Sequence, residues 1–360
     1  MNNLILNFPL NPLGYGVVGY NIAKSLIKIN KDVQIFPIGQ PQLTSTAIDE
    51  IIESTIGNYD NTRDVIKIWH QHDLINRPSS TGKYYGFPIF ELDTFSKFEK
   101  TNLKVPDKLF VCSNWAKQVV IDNIPEISPD NIVVAPLGVD RDIFFDININ
   151  LNSTMYRFYT IGKLEYRKGH EFIVDCFNKA FSEKDDVELD MMVHNVFLQR
   201  EVVEQWLSGF KNTKLGRKIK FQNPVQTQRE VADFIRYNDC GLFPSRAEGW
   251  NLELLESMSC GKPVIATNYS GHTEFCNDEN SYLIDIEDKE VAYDRMGGMW
   301  FKGQGSWAEL DYEQEEQMIT YMRKCYHDRP INKKGIETAK TFTWENTVNK
   351  ILNTTRNENE

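Results

Sequence analysis

The chain lacks every cysteine or histidine pattern that announces a metal or redox centre. Its six cysteines (Cys112, Cys176, Cys240, Cys260, Cys276, Cys325) are scattered, with no Cys-x-x-Cys pair. Dispersed cysteines in apolar surroundings read as small core residues of a protein held in a reducing compartment. The six histidines form no His-Glu-x-x-His motif, and the one dense patch, His70-Gln71-His72-Asp73, is weak ground for a metal. No metal and no resident cofactor are expected. No apolar run approaches the ~18 residues of a membrane span. The N-terminus has no basic region before its apolar start, which Pro9 and Pro12 interrupt, so no signal peptide is expected. A soluble, cytoplasmic protein is the expectation. Positive charge is also short: 40 Lys and Arg against 51 Asp and Glu leave a net charge of −11. That balance opposes nucleic acid or an anionic surface as a partner, though a local basic pocket or peripheral membrane contact is compatible with it.

What is present is globular: 360 residues, 41% hydrophobic, 12% aromatic and 25% charged, enough for two domains with separate cores. Short apolar runs alternate with amphipathic stretches throughout, the pattern of parallel α/β layers. Strands are expected at Leu4–Phe8, Val33–Pro37, Val65–Trp69, Tyr84–Phe90, Lys108–Cys112 and Ile132–Ala135. Helices are expected at Tyr20–Lys28 and Asn114–Asn123, the latter capped by Ser113 or Asn114. The Asn-rich segment Asp146–Ser153 reads as a linker. A second α/β run follows, with strands at Arg157–Ile161, Leu189–Val193, Ile219–Phe221, Cys240–Phe243 and Val264–Ala266. Trp344–Leu352 reads as a terminal helix, before the polar tail Asn357–Glu360.

The densest chemistry lies between Phe243 and Phe275. A strand ends at Phe243, Pro244-Ser245-Arg246 turns, and apolar residues recur at helical spacing from Leu252 to Met258 until Gly261 and Pro263 stop the helix. Val264 then opens another strand. Strand, loop, helix and strand make a right-handed parallel crossover, and ligands bind beyond the carboxyl ends of such strands. Glu248 falls there, with Glu256 one to two turns into the helix. A capping Glu248 and a solvated Glu256 are the plain alternative.

The whole string, EGWNLELLESMSCGKPVI, resembles the EGFGLPxLEAMAxGxPVI signature of glycosyltransferase family 4, whose members are retaining, nucleotide-sugar-dependent enzymes. The Glu-x7-Glu frame is intact. The resemblance implies an α/β fold of GT-B architecture, two Rossmann-like doubly wound domains facing across a cleft. It implies an acceptor-side domain over 1–150, a donor domain over 151–339, and a last helix at about 340–360 returning to the first domain.

Cleaving a nucleotide sugar requires neutralising a diphosphate leaving group. Gly162-Lys163-Leu164-Glu165-Tyr166-Arg167-Lys168-Gly169 resembles the family's GRLxxxKG loop, in which Arg and Lys hold the phosphates. Lys163 takes the Arg position, giving up a bidentate fork that Arg167 partly replaces, and Lys168 takes the Lys position. By the same resemblance, Glu256 accepts from the ribose hydroxyls and Glu248 contacts the transferred sugar. A carboxylate suits both tasks because a vicinal diol offers two donors to its two oxygens. Gly249, Trp250, Asn251 and Leu252 offer backbone N–H groups, with Trp250-Asn251 standing where Phe-Gly is commoner. Val225, after Ile219–Phe221, is expected beside the nucleobase, and His194 is either a nucleotide contact or a plain loop histidine.

Gly14-Tyr15-Gly16-Val17-Val18-Gly19 is a literal G-x-G-x-x-G before a helix, yet the loop from Phe8 is long, and no acidic residue ends the second strand, where a dinucleotide site needs one. In the resembling family this loop lines the donor and acceptor sites, so Gly16 is assigned to donor binding. The acceptor side is less marked. Glu91 and Asp93 fall where the family commonly has a histidine near the reacting sugar. A carboxylate there orients or deprotonates the acceptor hydroxyl, or else caps a helix or joins a loop salt bridge. His72 and Asp73 are further candidates. The expected activity is transfer of a hexose-type sugar to an acceptor hydroxyl (of a glycan, a lipid or a small molecule) by metal-independent front-side substitution. The alternatives are another GT-B enzyme, an epimerase or a phosphorylase, or a silent carbohydrate-binding protein.

Overall fold

The computed structural model describes residues 4–29, 31–43, 46–57, 59–147, 154–295 and 300–356. Contacts divide the chain into two units, Met1–Asp140 with Phe342–Glu360, and Arg141–Thr341. Most of the expected linker, 148–153, and the polar tail Asn357–Glu360 lie outside the described residues.

The first unit is built on six strands: β1 (Leu4–Phe8), β2 (Val33–Pro37), β3 (Asp64–Lys67), β4 (Tyr84–Gly86), β5 (Lys108–Val111) and β6 (Ile132–Val134). They pair in parallel in the order β2-β1-β3-β4-β5-β6. Every residue of β1 is buried, as befits a strand covered on both faces. β4 stops at Gly86, short of the expected Phe90. The Phe87 N–H still donates to the Lys67 carbonyl at 2.7 Å, but Pro88 has no N–H to continue the ladder.

The first helix spans Gly14–Lys28, so the glycine run forms its opening turns instead of a loop ahead of it. A Cβ on Gly16 would lie 2.0 Å from the Asn11 carbonyl, and one on Gly19 1.9 Å from the Phe8 ring. These glycines let the helix sit close against β1 and its following loop. Ser113 caps Asn114–Asn123, its hydroxyl accepting from the Ala116 N–H at 3.1 Å. The helix Trp344–Arg356 packs in this same unit, where Thr347 Oγ1 donates to the Pro136 carbonyl at 2.6 Å.

The second unit contains β7 (Tyr156–Lys163), β8 (Val187–His194), β9 (Ile219–Phe221), β10 (Cys240–Phe243), β11 (Val264–Thr267) and β12 (Tyr282–Ile284). Their parallel order is β12-β11-β10-β7-β8-β9. Read from β9 this is the doubly wound 3-2-1-4-5-6 arrangement, and its direction reverses between β7 and β10. An antiparallel hairpin, β13 (Lys289–Tyr293) and β14 (Lys302–Ala308), stands apart from the sheet and was not expected from the sequence. Its second strand carries Gly303 and Gly305 at φ 95° and 72°, which blurs the alternation that marks a strand. Both units are thus doubly wound α/β layers. All six cysteines are free and buried, and among the described residues no helix is long and apolar enough to cross a membrane.

Candidate active site

The reversal between β7 and β10 sets two loops side by side, and the charged residues singled out by sequence meet there. Lys168 Nζ lies 2.8 Å from Glu248 Oε1, and Arg167 Nη1 lies 3.0 Å from Glu248 Oε2. All three side chains are at most a tenth exposed. Burial pushes the Glu248 carboxyl up, but Lys168 and Arg167 outweigh it and hold the group well below the usual carboxylate range. Burial likewise opposes the Lys168 ammonium, yet Glu248 and then Glu253 keep its pKa raised. The cluster therefore stays ionised in a region where water screens poorly. Arg167 also donates to the Ala247 carbonyl at 2.5 Å and to Glu165 at 3.4 Å.

Backbone strain fixes this geometry. Gly169 has φ +71°, and a Cβ there would lie 2.5 Å from the Pro244 carbonyl oxygen. Ser270, at φ 67°, accepts from the Glu248 N–H at 2.8 Å through its hydroxyl. The Glu248 carbonyl in turn accepts from the Gly271 N–H at 2.9 Å. Glu248 does not cap the following helix. Asn251 does, at φ 81°, its side chain accepting from the Leu254 N–H at 3.4 Å. Asparagine is among the few side chains that tolerate that conformation, which explains its standing in for glycine. Gly249 and Trp250 are buried, Trp250 against the Phe275 ring at 4.9 Å, and Leu252 opens the helix Leu252–Ser259.

Glu256 is not a solvated surface group: it is 6% exposed. Burial, reinforced by Glu253, raises its pKa well above the ordinary value. Lys163 and His194 end β7 and β8 as register partners, and Val225 follows β9, so these three also lie along the carboxyl edge of the sheet.

Sequence reading missed several neighbours. Arg246, taken only as part of a turn, is 4% exposed. It donates to Glu171 at 2.7 Å, to Glu290 at 3.0 Å and to the Tyr166 carbonyl at 2.7 Å, with its guanidinium 3.8 Å over the Tyr166 ring. His170 is fully buried, and its pKa is lowered to about 3 by burial, then by Lys168 and Arg167. His272 is equally buried, with Nε2 2.5 Å from the Thr267 carbonyl. The only local signal for His170 was its place two residues after Lys168.

In the first unit the strand order reverses between β1 and β3, and aromatic side chains gather there. The Tyr15 ring lies 5.1 Å from Trp69 and 4.6 Å from His70, and His70 stacks on His72 at 5.2 Å. The Tyr15 hydroxyl donates to the Ile89 carbonyl at 2.5 Å. Glu91, half-buried after β4, is close enough to raise the pKa of Tyr15, though burial is the larger cause. Asp93, also half-buried, presents its carbonyl to Asn123 at 3.0 Å. Asp73 pairs with the buried Lys67 at 2.9 Å. Gly16 belongs to this unit and lies in the first turn of its opening helix. Among the described residues, no group of three or more His, Cys, Asp or Glu is arranged to hold a metal ion.

Residues 156–299 match the family model described as Glycosyl transferases group 1. A probable sucrose-phosphate synthase of Thermosipho melanesiensis is 29% identical over 185 residues, covering 48% of this chain and 41% of that protein. An uncharacterized glycosyltransferase of Methanocaldococcus jannaschii is 25% identical over 279 residues, covering 76% of this chain and 63% of that protein. The chain thus spans less than two thirds of either relative. Among solved structures, Anabaena HepE in complex with UDP-glucose superposes with a TM-score of 0.70 at 14% identity, covering 98% of this chain and 99% of that one. At that identity the likeness shows the fold alone, an α/β two-domain architecture of GT-B type. The family model and the named relatives support a transferase.

Proposed function

We propose that this protein is a retaining glycosyltransferase of family 4, moving a hexose-type sugar from a nucleoside-diphosphate donor to an acceptor hydroxyl. One observation carries the reading: Lys168 and Arg167 converge on Glu248 at the point where the strand order of the second sheet reverses. Buried cations prearranged at that point suit a diphosphate leaving group. Lys163 adds a third cation at the end of the same strand, Glu248 serves the sugar hydroxyls, and Glu256 the ribose. Backbone groups of Gly249 to Leu252, together with His194, Val225 and Gly16, complete the donor assignment. UDP is the favoured nucleotide, since HepE, of the same fold, is described in complex with UDP-glucose.

The reaction we assign is front-side substitution. The bond from the anomeric carbon to the diphosphate oxygen breaks while the acceptor oxygen bonds to the same face. The acceptor proton passes to the departing phosphate oxygen, so no enzyme-bound sugar ester is formed. Lys168 and Arg167 stabilise the charge that grows on the diphosphate, which makes the step independent of a metal. The first unit takes the acceptor, with Glu91 or Asp93 orienting its hydroxyl. Purified protein given UDP-, GDP- and ADP-sugars should release nucleoside diphosphate from one of them. The reading is abandoned if no nucleoside diphosphate raises the melting temperature, or if a folded Glu248→Ala variant turns over as fast as the parent.

A further inference from the structure

Lys163 has two aromatic neighbours that come from other parts of the second unit. Its Nζ lies 5.5 Å from the Phe197 ring centroid and 6.0 Å from that of Trp300. The two rings stand nearly perpendicular, 88° apart, with centroids separated by 6.0 Å. Each residue is 48% exposed, and Val196 beside them is 63% exposed. Single exposed apolar residues need no explanation, but aromatics gathered round one lysine at the edge of a candidate site form a surface with a use.

Trp300 reaches this place from the β13–β14 hairpin, which is no part of the doubly wound sheet. The hairpin is fastened at its base to the loops that carry Arg246 and Tyr166. Glu290 of β13 accepts from Arg246 Nε at 3.0 Å and from Trp307 Nε1 at 3.1 Å. The Ala308 N–H of β14 donates to the Arg246 carbonyl at 2.9 Å, and the Trp307 ring lies 6.0 Å from that of Tyr166. Anchored there, the hairpin carries Trp300 at its turn end, beside Lys163.

Sheet order gives the direction of a bound donor. Along the carboxyl edge, β10 leads to Glu248, β7 to Lys163 and Lys168, and β8 to His194 and Phe197. A diphosphate held by the β7 loop with its sugar toward Glu248 extends its nucleoside toward β8. We propose that Phe197 and Trp300 clamp the nucleobase of the donor in the corner they form: the rings are perpendicular and touch each other, so the base stacks on one with its edge against the other, the hairpin supplying one of the two rings. The inference rests on the donor reading of the same site. A base offers a π-face to either ring whatever its identity, and a cation beside the rings already favours them electrostatically.

The test is calorimetric titration of the full chain with UDP, ADP and inorganic pyrophosphate, in the parent and in Phe197→Ala, Trp300→Ala and Trp300→Phe. The alanine variants should weaken both nucleotides by at least about tenfold and pyrophosphate by less than about twofold, with Trp300→Phe restoring most of the loss. Unchanged nucleotide affinity in both alanine variants overturns the clamp, as does an equal loss for pyrophosphate, which would mean that the rings only position Lys163. A parent protein that binds pyrophosphate but neither nucleotide, or binds nothing, brings down the donor reading itself.

Discussion

Lys168 Nζ and Glu248 Oε1 lie 2.8 Å apart, both side chains at most a tenth exposed, on loops that follow adjacent strands of opposite winding. Breaking a buried pair costs more than the pair contributes, because the survivor is left charged and unsolvated. Lys168→Met and Glu248→Gln should each destabilise the fold by about 3 kcal/mol, and the double variant by clearly less than the sum. Urea denaturation of the four proteins measures this, and additive losses would show the two groups to be independent. Each single variant should also slow transfer by roughly 10²-fold or more.

Glu256 predicts a pH effect of opposite sense. Burial and Glu253 raise its folded pKa, so its contribution to stability is complete below an unfolded pKa of about 4.3 and is lost as pH rises toward the folded value. Glu256→Gln removes that loss. The variant should gain melting temperature over the parent at pH 8 and gain less, or nothing, at pH 5. An offset independent of pH would refute the raised pKa of the buried carboxyl.

His170 works in the other direction. Its pKa is lowered to about 3 by burial, then by Lys168 and Arg167, with Glu248 opposing them. An unfolded histidine titrates near 6.5, so the stability tied to the neutral ring is present above that pH and is lost as pH falls toward the folded value. By pH 4.5 the loss should be on the order of 2 kcal/mol. Neither ring nitrogen has a hydrogen-bond partner among the described residues, so His170→Leu should fold at pH 7.5 and show a flatter acid limb in denaturation. A parent-like acid limb in that variant would assign the loss to other groups.

Gly169 sits where only glycine fits, at φ +71° and facing the Pro244 carbonyl. Gly169→Ala should cost roughly 1–3 kcal/mol from the backbone conformation, before any clash is counted. Because Lys168 is the preceding residue, transfer should fall further than stability alone explains. Differential scanning calorimetry with a donor-release assay reads both effects. An unchanged melting temperature would mean that the loop relaxes freely.

Eleven of the twelve described parallel strands were legible, mostly as short apolar runs; β12, three residues long and following a polar stretch, was not read. β1, β2, β9 and β10 occupy the spans read from the sequence. The start of the first helix was not legible. Glycines signal a turn when read locally, and only the presence of Phe8 and Asn11 beneath Gly19 and Gly16 makes them helix-packing residues. The hairpin was missed for a related reason: β13 is largely exposed and so carries no apolar run, and β14 is interrupted by glycines at positive φ. Within the site, Glu248, Glu256 and Lys168 stood out because they occupy fixed places in long motifs. Arg246 did not, since its partner Glu290 lies 44 residues away in a segment with no strand signal.

The sequence by itself determined the two doubly wound halves, the loops that carry charge, and the order in which they follow their strands. Those properties are local, written in apolar period and in turn residues within a few positions. Which loops meet is a different matter. Arg167 and Ala247 touch across 80 residues because β7 and β10 are neighbours, and that adjacency is set by strand order and crossover packing. The tertiary structure also decided that the Glu248 pKa falls below the usual carboxylate range while that of Glu256 rises above it. Two carboxylates in one motif titrate apart because one is buried against cations and the other is buried without them.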